Sequence, residues 1–469
     1  MYFVTITPTD CSLTAAEFCT SFWKDFAMVV MKFGGSSVAN AERIKHVASI
    51  IESYADRKPI VVLSAMGDTT DHLLEAADMA VKGEVAIARI EALHRETADI
   101  LGVDFAPIQE LLEELDTLLT GISLLKELTK RTRDYLVSFG ERLSVRLAAA
   151  YLNKIGTPAQ HYDAWDVGFL TDSNFMSAEL LEETWALIPK ALGGYKTGEL
   201  KAIPVVTGFI AKDKKGYITT LGRGGSDLTA TMLGAALGAD EVQTWKDVNG
   251  ILTADPRIVP HARTVSEVTY EEAAELAYFG AQVLHPRSMV PCRKTGTPVR
   301  VKNSYNIESP GSIIVNEHTS EVGPVRAITS VKNVTLLDIV STRMIGASGF
   351  MAHIFNQFLK WDISIDVIAT SEVSISLTVN NKGDLSGLLA DMQGLATTEC
   401  KRNKSIVTVI CDADKATSIL ADGFAALVKK NINVQMISKG ASKVNISMIC
   451  DDSEADLVVQ TLHDAYFPG

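Results

Sequence analysis

The chain has 469 residues, with 44 Lys and Arg against 57 Asp and Glu, a formal net charge of -13. The length suggests about three domains, and a composition that is 47% hydrophobic and 22% charged excludes disorder, collagen and coiled coil as descriptions of the whole chain. The acidic balance argues against nucleic acid or an anionic membrane as partner, while leaving room for a local basic patch that takes phosphates.

Six cysteines occur without a CxxC pair, and HExxH is absent, so neither a disulfide framework nor a zinc site is expected. A reducing compartment is the default. No run of 18 apolar residues predicts a membrane span. Residues 1–25 read as an N-terminal extension without an assigned role. They lack a secretory signal pattern, and Asp10, Glu17 and Asp25 with no Arg argue against an intact transit peptide. The expected location is the cytoplasm, or the plastid stroma if a transit peptide has been removed.

In chain order, the first half alternates strand and helix signals. Met28–Phe33 is a short apolar run ending in Gly34-Gly35, and Ile44, Val47, Ile50 and Ile51 space a helix over Ala41–Tyr54. Pro59–Ser64 is a β-branched strand, and a helical stretch with brief breaks runs from about Asp71 to Tyr151. Pro204–Phe209 is another buried-type strand, Leu228–Leu237 a helix and Glu241–Lys246 a strand. Strands that are apolar throughout, separated by helices, predict an α/β domain over 26–310 with a mostly parallel sheet covered on both faces.

Asn303–Gly323, rich in Asn, Ser, Pro and Gly, reads as a linker, set at 311–324. Beyond it, strand Val334–Ile339, helix Phe350–Lys360, strands Ile363–Ala369 and Val373–Val379, helix Leu385–Leu395 and a weak strand Ala396–Lys401 make a βαββαβ unit. Strand Ser405–Cys411, helix Lys415–Lys429, strands Ile432–Ile437 and Val444–Cys450 and helix Glu454–Tyr466 begin a second one. The segments Ile363–Val367 and Ile432–Met436 echo each other at a spacing of about 70 residues. The second unit lacks its last strand, and Val325–Val331 is a spare strand. It is predicted to pair into the second unit, so that one module (about 340–402) is inserted in the other (about 325–339 plus 403–469).

Four motifs carry candidate chemistry. Lys32-Phe33-Gly34-Gly35-Ser36-Ser37 follows a strand and precedes a helix. Paired glycines let backbone N–H groups approach an anion and the lysine neutralises phosphoryl charge, although a plain β–α turn with a surface lysine has the same spacing. Leu221–Asp227 (LGRGGSD) fails the dinucleotide fingerprint and no P-loop exists. It describes an anion loop around Arg223, or a turn whose Ser226 or Asp227 merely caps a helix. Ser138–Leu143 (SFGERL) either opens space for a ligand amine at Gly140 or is a solvated helix face. Thr244–Gly250 (TWKDVNG) with Asp255-Pro256-Arg257 follows a strand, where Trp245 is a base platform or core packing.

Together the ordered motifs KFGGSS, LSAMGDTT, SFGERLS, GFIA, TLGRGGSD, TWKDVNGILTADPR and FGAQVLHP resemble the aspartate kinase family of the amino-acid-kinase superfamily, from about Val29 to Phe467. The tail segments GFMAHIF, ISIDVIATSEVSISLT and INVQMISKGASKVNIS are similar to the paired ACT modules of lysine-sensitive, monofunctional plant-type members. The resemblance implies a three-layer amino-acid-kinase fold plus two ferredoxin-like ACT modules. It implies Lys32 and Asp227 as catalytic residues, and Gly34, Gly35, Ser36, Lys246, Asp247, Leu252, Arg257, Gln282 and Val283 around ATP. It implies Thr70, Glu141, Phe209, Arg223 and Ser226 around aspartate, with Arg223 on the α-carboxylate and Glu141 on the α-ammonium. Lys246, Leu252 and Gln282 depart from the Thr, Tyr and Lys of some members.

The implied reaction moves the ATP γ-phosphate to the β-carboxylate of L-aspartate, giving 4-phospho-L-aspartate and ADP, the first step toward lysine, threonine and methionine. That carboxylate is ionised at neutral pH, so the chemistry asks for alignment and charge neutralisation and no general base. Mg²⁺ is expected mainly through the ATP phosphates. The family's lysine effector falls on Met344, Ala347, Gly349, Met351, Ser364, Ile365, Asp366, Thr370, Ser371 and Glu372. Plant-type relatives add S-adenosylmethionine as a co-effector, and a homodimer through the ACT modules is implied. The nearest alternative is a related amino-acid kinase acting on glutamate or N-acetylglutamate, and the Ser138–Ser144 motif and the double tail argue against it. A dead sensor would have lost Lys32, Glu141, Arg223 or Asp227. No second catalytic domain is expected after Phe467.

Overall fold

The structure, a computed structural model, describes residues 28–281, 284–319, 323–341, 349–380, 384–440 and 444–468. The chain forms two compact units: Met1–Val248 with Arg287–Ser309, and Asn249–Pro286 with Pro310–Gly469.

In the first unit, six strands form a wholly parallel array in the order Ala159–Tyr162, Ile203–Thr207, Pro59–Leu63, Val29–Phe33, Glu241–Lys246 and Val299–Asn303. Pro59–Leu63 and Ile203–Thr207 are buried at every residue, which requires cover on both faces. The cover comes from helices Ala41–Ser53, Lys130–Lys154 and Gly225–Leu237, among others. The long helical stretch resolves into Thr69–Val81, Ala88–Leu101, Ala106–Leu125 and Lys130–Lys154. Leu111, Leu112, Leu115, Leu119 and Ile122 of the third recur at three- and four-residue spacing and enter the core beside Leu136, Phe139 and Leu143 of the fourth. A small sheet, Leu170–Thr171, Ile210–Asp213 and Ile218–Thr220, has no counterpart in the sequence reading. Its strands are two to four residues long, too short for a period-two pattern.

Residues 249–286, grouped with the first domain by sequence, fold with the C-terminal unit. Ile251 N donates to Ser312 Oγ (2.8 Å) and Ile328 N to the Thr253 carbonyl (2.7 Å). The stretch read as a linker contains a strand, Ser312–Val315, which pairs in parallel with Glu267–Thr269.

The rest of the second unit is one antiparallel six-stranded sheet. Val325–Val331 and Val334–Ile339, expected as separate strands, are halves of one 16-residue strand, Val325–Val340. Ala396–Lys401 and Ser405–Cys411 likewise merge into Thr397–Cys411. Val325–Val331 pairs with Ile406–Cys411 and Val334–Val340 with Thr397–Lys404, so the module insertion is present. The pairing shifts register beside Asn333 (φ 58°) and Asn403 (φ 56°), which take the left-handed backbone of a bulge. The repeat recurs in backbone geometry: Asp362 (φ 52°) and Asn431 (φ 56°) follow corresponding helices. The expected strand Ile432–Ile437 shortens to Met436–Ser438, because Ile432 N is spent closing the preceding helix on the Leu427 carbonyl.

Candidate active site

Four carboxyl ends of parallel strands converge in the first unit, the usual ligand position in such sheets. Val29–Phe33 delivers Lys32, Pro59–Leu63 leads into Ser64 and Ala65, Ile203–Thr207 into Gly208 and Phe209, and Glu241–Lys246 ends in Lys246. They surround a cavity of about 310 Å³ lined by Lys32, Thr70, Glu141, Phe209, Ser226 and Asp227 and by glycines 222, 224 and 225.

Lys32 Nζ lies 2.8 Å from Asp227 Oδ1, and both side chains are nearly buried. A second ammonium group, Lys246, is close enough to feel both charges. Burial lowers its pKa, Asp227 opposes that shift and Lys32 adds to it. Three charges on the ends of adjacent strands and the following helix make a site whose field is set by the fold. Gly34 and Gly35 give way to a short 3₁₀ turn, Gly35–Val38, and the first long helix begins only at Ala41 with the Asn40 side chain capping Arg43 N. The glycines therefore open a loop and a single 3₁₀ turn, and not the N-terminus of the first long helix.

The glycine turn stands by its own backbone. Gly222 (φ 71°) and Gly224 (φ 73°) occupy the left-handed region, and Gly225 then starts helix Gly225–Leu237. Ser226 accepts a hydrogen bond from Ser64 (3.1 Å). Phe209, itself at φ 68°, is fixed by its N–H on Thr229 Oγ1 (3.1 Å) and its carbonyl on Leu221 N (2.8 Å).

Glu141 is the least satisfied group of the site. It is 3% exposed; Oε1 accepts from Ala65 N at 3.3 Å, and Oε2 is buried with no hydrogen-bond partner. Burial pushes its pKa up to about 8, against the Ala65 amide. The whole SFGERL motif is buried, which removes the solvated-face reading. Gly140 does not open space for a ligand amine: a Cβ there would lie 2.7 Å from Ala65 Cβ, so the glycine admits Ala65, whose amide then meets Glu141. Arg142 is spent on Glu114 (3.1 Å) and Asp163 (3.7 Å).

Other assignments separate. Ser36 and Arg223 are exposed, and Arg223 sits on the glycine turn without lining the cavity. Asp247 follows Lys246 in the first unit. Leu252 and Arg257 belong to the second, where Arg257 is exposed and its guanidinium grips Asp255 at 2.6 Å. Gln282 and Val283 lie outside the described residues. Trp245 is fully buried against Phe33 and Tyr54, so it is core and no base platform. Sequence reasoning missed Asp134 and Arg287. Asp134 accepts from Met176 N, Thr220 N and Thr220 Oγ1, and Arg287 donates to the Leu221 and Ala178 carbonyls. Both brace the glycine turn, and their only signal was an acid two turns before Glu141 on the same helix and an arginine after FGAQVLHP.

The second unit holds a larger cavity, about 490 Å³, between helix Tyr270–Tyr278 and the edge strands Ile365–Thr370 and Met436–Ser438. Tyr278 donates to Asp366 Oδ1 (3.2 Å), and Asn445 Nδ2 donates to Glu275 Oε2. Burial raises the Asp366 pKa against the Tyr278 hydrogen bond. Of the expected effector residues that the structure describes, only Asp366 lines this cavity. Ile365 is half-buried beside it, and Ser364, Thr370, Ser371 and Glu372 are exposed, with Ser371 tied into the hairpin turn by Ser374. Gly349 (φ 89°) precedes helix Phe350–Lys360, which carries partly exposed Met351. Met344 and Ala347 lie outside the described residues.

The sequence matches the profile of the amino acid kinase family over residues 27–303 and an ACT domain profile over 337–383 and 412–466. The chain belongs to the aspartokinase family. It is 50% identical to aspartokinase 2, chloroplastic, of Arabidopsis thaliana, over 93% of this chain and 84% of that protein. It is 35% identical to the lysine-sensitive aspartokinase 3 of Escherichia coli, over 94% of this chain and 99% of that one. Among solved structures it is similar to E. coli aspartokinase III in complex with aspartate and ADP, with TM-score 0.75, 32% identity and coverage of 94% and 100% of the two chains. The same enzyme in complex with lysine and aspartate matches with TM-score 0.76, 32% identity and coverage of 94% and 99%. The chain is thus an aspartate kinase built from an α/β catalytic fold and tandem ACT modules, as the motif order implied. Among the described residues no helix is long and apolar enough to cross a membrane.

Proposed function

We propose that the first-unit cavity binds L-aspartate through Glu141 and transfers the γ-phosphoryl group of ATP to its β-carboxylate. The observation that carries this reading is the unpartnered Oε2 of Glu141, buried in the same cavity as the Lys32–Asp227 pair. A buried carboxylate oxygen without a partner is costly, and an α-ammonium supplies the missing donors and charge. Thr70, Phe209 and Ser226 shape the pocket around the substrate, and Arg223 closes on its α-carboxylate from the glycine turn. The β-carboxylate oxygen forms a bond to the γ-phosphorus while the bond from that phosphorus to the bridging oxygen breaks, and ADP leaves. Lys32 and Lys246 neutralise the charge on the transferred group. Asp227 holds Lys32 in position and is the carboxylate that would face a nucleotide-bound Mg²⁺, which supplies charge neutralisation on the phosphates. Gly34, Gly35, Ser36 and Asp247 line the nucleotide side.

Lysine is the proposed feedback effector, and the second-unit cavity is where its ammonium is taken. Glu275 and Asp366 give that cavity two carboxylates, and among the described residues none of the others that line it is cationic. The E. coli relative's complex with lysine supports the effector class. Exposed Met351, Leu359 and Trp361 support pairing of two chains through the Phe350–Lys360 helix. The chloroplastic Arabidopsis relatives support a plastid location.

The test is hydroxylamine trapping of the acyl phosphate with MgATP and aspartate, glutamate or N-acetylglutamate, with and without lysine. The expected result is hydroxamate from aspartate alone, suppressed by lysine. Equal hydroxamate from glutamate overturns the substrate assignment, and indifference to lysine overturns the effector.

A further inference from the structure

The second unit contains a cluster of metal-ligating side chains that neither the reaction nor its regulation uses. His261 lies on the loop that follows Asp255-Pro256-Arg257, and His463 and Asp464 lie in the last turn of helix Ala455–Tyr466. One ligand atom from each falls within 4.8 Å of the other two. His261 Nε2 and Asp464 Oδ1 are 3.4 Å apart, the edge expected of a tetrahedron with metal–ligand bonds of about 2.1 Å.

The three ligands differ in how they are held. His463 is completely buried. Its Nε2 is within 2.9 Å of Thr253 Oγ1, and its Nδ1 has no hydrogen-bond partner. An imidazole with one nitrogen fixed by an oxygen and the other left over is how histidine ligands are oriented in metal sites. Phe467 packs against the ring at 4.7 Å, tilted by 34°, and His261 meets it edge-on at 5.0 Å, so the ring is held on two sides. His261 and Asp464 are exposed and already face each other across 3.4 Å. The guanidinium of Arg263 is directed to the Pro468 carbonyl (3.2 Å).

We propose that His261, His463 and Asp464 form a site for a divalent transition metal of the zinc class, which staples the 250–264 loop to the C-terminal helix. Two imidazoles and one carboxylate select zinc-like ions over Mg²⁺ and Ca²⁺, which want oxygen shells. Three protein ligands leave the fourth position to water. The loop so held carries Leu252 and Arg257. The spacing rules of sequence motifs could not reveal this site, because 202 positions separate His261 from His463.

The test is titration of the purified full-length protein with Co²⁺, followed by its visible absorption, and competition with Zn²⁺ and with Mg²⁺. The expected result is one Co²⁺ per chain in a tetrahedral spectrum without sulfur charge-transfer bands, displaced by Zn²⁺ and not by Mg²⁺. His261→Ala and Asp464→Asn, both at exposed positions, should each weaken binding by at least about tenfold. Zn²⁺ should raise the melting temperature of the unmutated chain and leave that of His261→Ala unchanged. Absence of tetrahedral Co²⁺ in the unmutated chain, or undiminished binding in both variants, overturns the site.

Discussion

The two cavities hold carboxylates in different ways. In the first unit the carboxylates are held beside backbone: Glu141 accepts from the Ala65 amide, and Asp227 follows a turn with two left-handed glycines and is already neutralised by Lys32. Its least satisfied group is Glu141, whose Oε2 has no hydrogen-bond partner. In the second unit the walls are side chains from elements far apart in sequence. Tyr278 reaches Asp366 across 88 positions and Asn445 reaches Glu275 across 170. A backbone-built site changes little when one peripheral side chain is lost, but fails when a charge at its centre is removed. A side-chain-built site at a sheet edge can change its occupancy with small shifts of a helix, which suits an effector. Differential affinity between two arrangements of that helix is all that inhibition requires.

The largest expected effect is at the centre of the first cavity. Lys32→Ala should lower kcat by at least about 10²-fold, the cost of one preorganised stabiliser, with lysine inhibition of the residual rate preserved. Near-normal turnover would break the contrast. Glu141→Gln should raise the KM for aspartate by about tenfold to a hundredfold, since a hydrogen bond to a charged group is worth about 1.5–3 kcal/mol, while kcat at saturation falls less.

The same residue gives a pH signature. Its pKa is raised from 4.5 to about 8 in the empty site. The neutral carboxyl is therefore favoured by folding. That contribution to stability is complete below about 4.5 and is lost as pH rises through about 8. Aspartate binding needs the carboxylate, so affinity for aspartate should climb as pH approaches about 8. In Glu141→Gln both trends should flatten, as read by melting temperature of the ligand-free enzyme and by KM across pH.

Effects in the second cavity should be smaller and confined to regulation. Asp366→Ala should raise the lysine needed for half-inhibition about tenfold, the loss of one charge-assisted contact, with uninhibited turnover intact. Tyr278→Phe should raise it only a few-fold, because it removes one hydrogen bond that a ligand can replace. Unchanged inhibition in both variants would move the effector elsewhere. The smallest effect is on stability alone. Asn403→Ala should cost about 1 kcal/mol, because alanine is strained at φ 56°, and Asn403→Gly should cost little. Equal melting temperatures for the two variants would show that the bulge tolerates any residue.

What was legible in the sequence follows from range. Strands buried on both faces and helices with regular apolar spacing declare themselves locally, so Glu241–Lys246 and Phe350–Lys360 have the expected bounds. Lys32, Thr70, Phe209, Ser226 and Asp227 meet in one cavity because each sits in a motif close to a strand end, and Glu141 joins them from the middle of helix Lys130–Lys154. The merging of two strands at Asn333 was hidden, because a bulge residue looks like a turn residue. The role of Gly140 was misjudged because its neighbour, Ala65, is 75 positions away. The small sheet and the Tyr278–Asp366 contact depend wholly on tertiary placement. Arg223, exposed on its turn, shows the opposite case: the motif named a residue whose side chain stands outside the cavity.

The central claim is that one cavity neutralises both ends of the reaction, the ammonium at Glu141 and the phosphoryl group at Lys32. A crystal structure with aspartate and a non-hydrolysable ATP analogue tests it directly. The account predicts the substrate nitrogen within hydrogen-bond distance of Glu141 Oε2 and the β-carboxylate between Lys32 and the terminal phosphate. An amino group bound elsewhere, with that oxygen still bare, would contradict it.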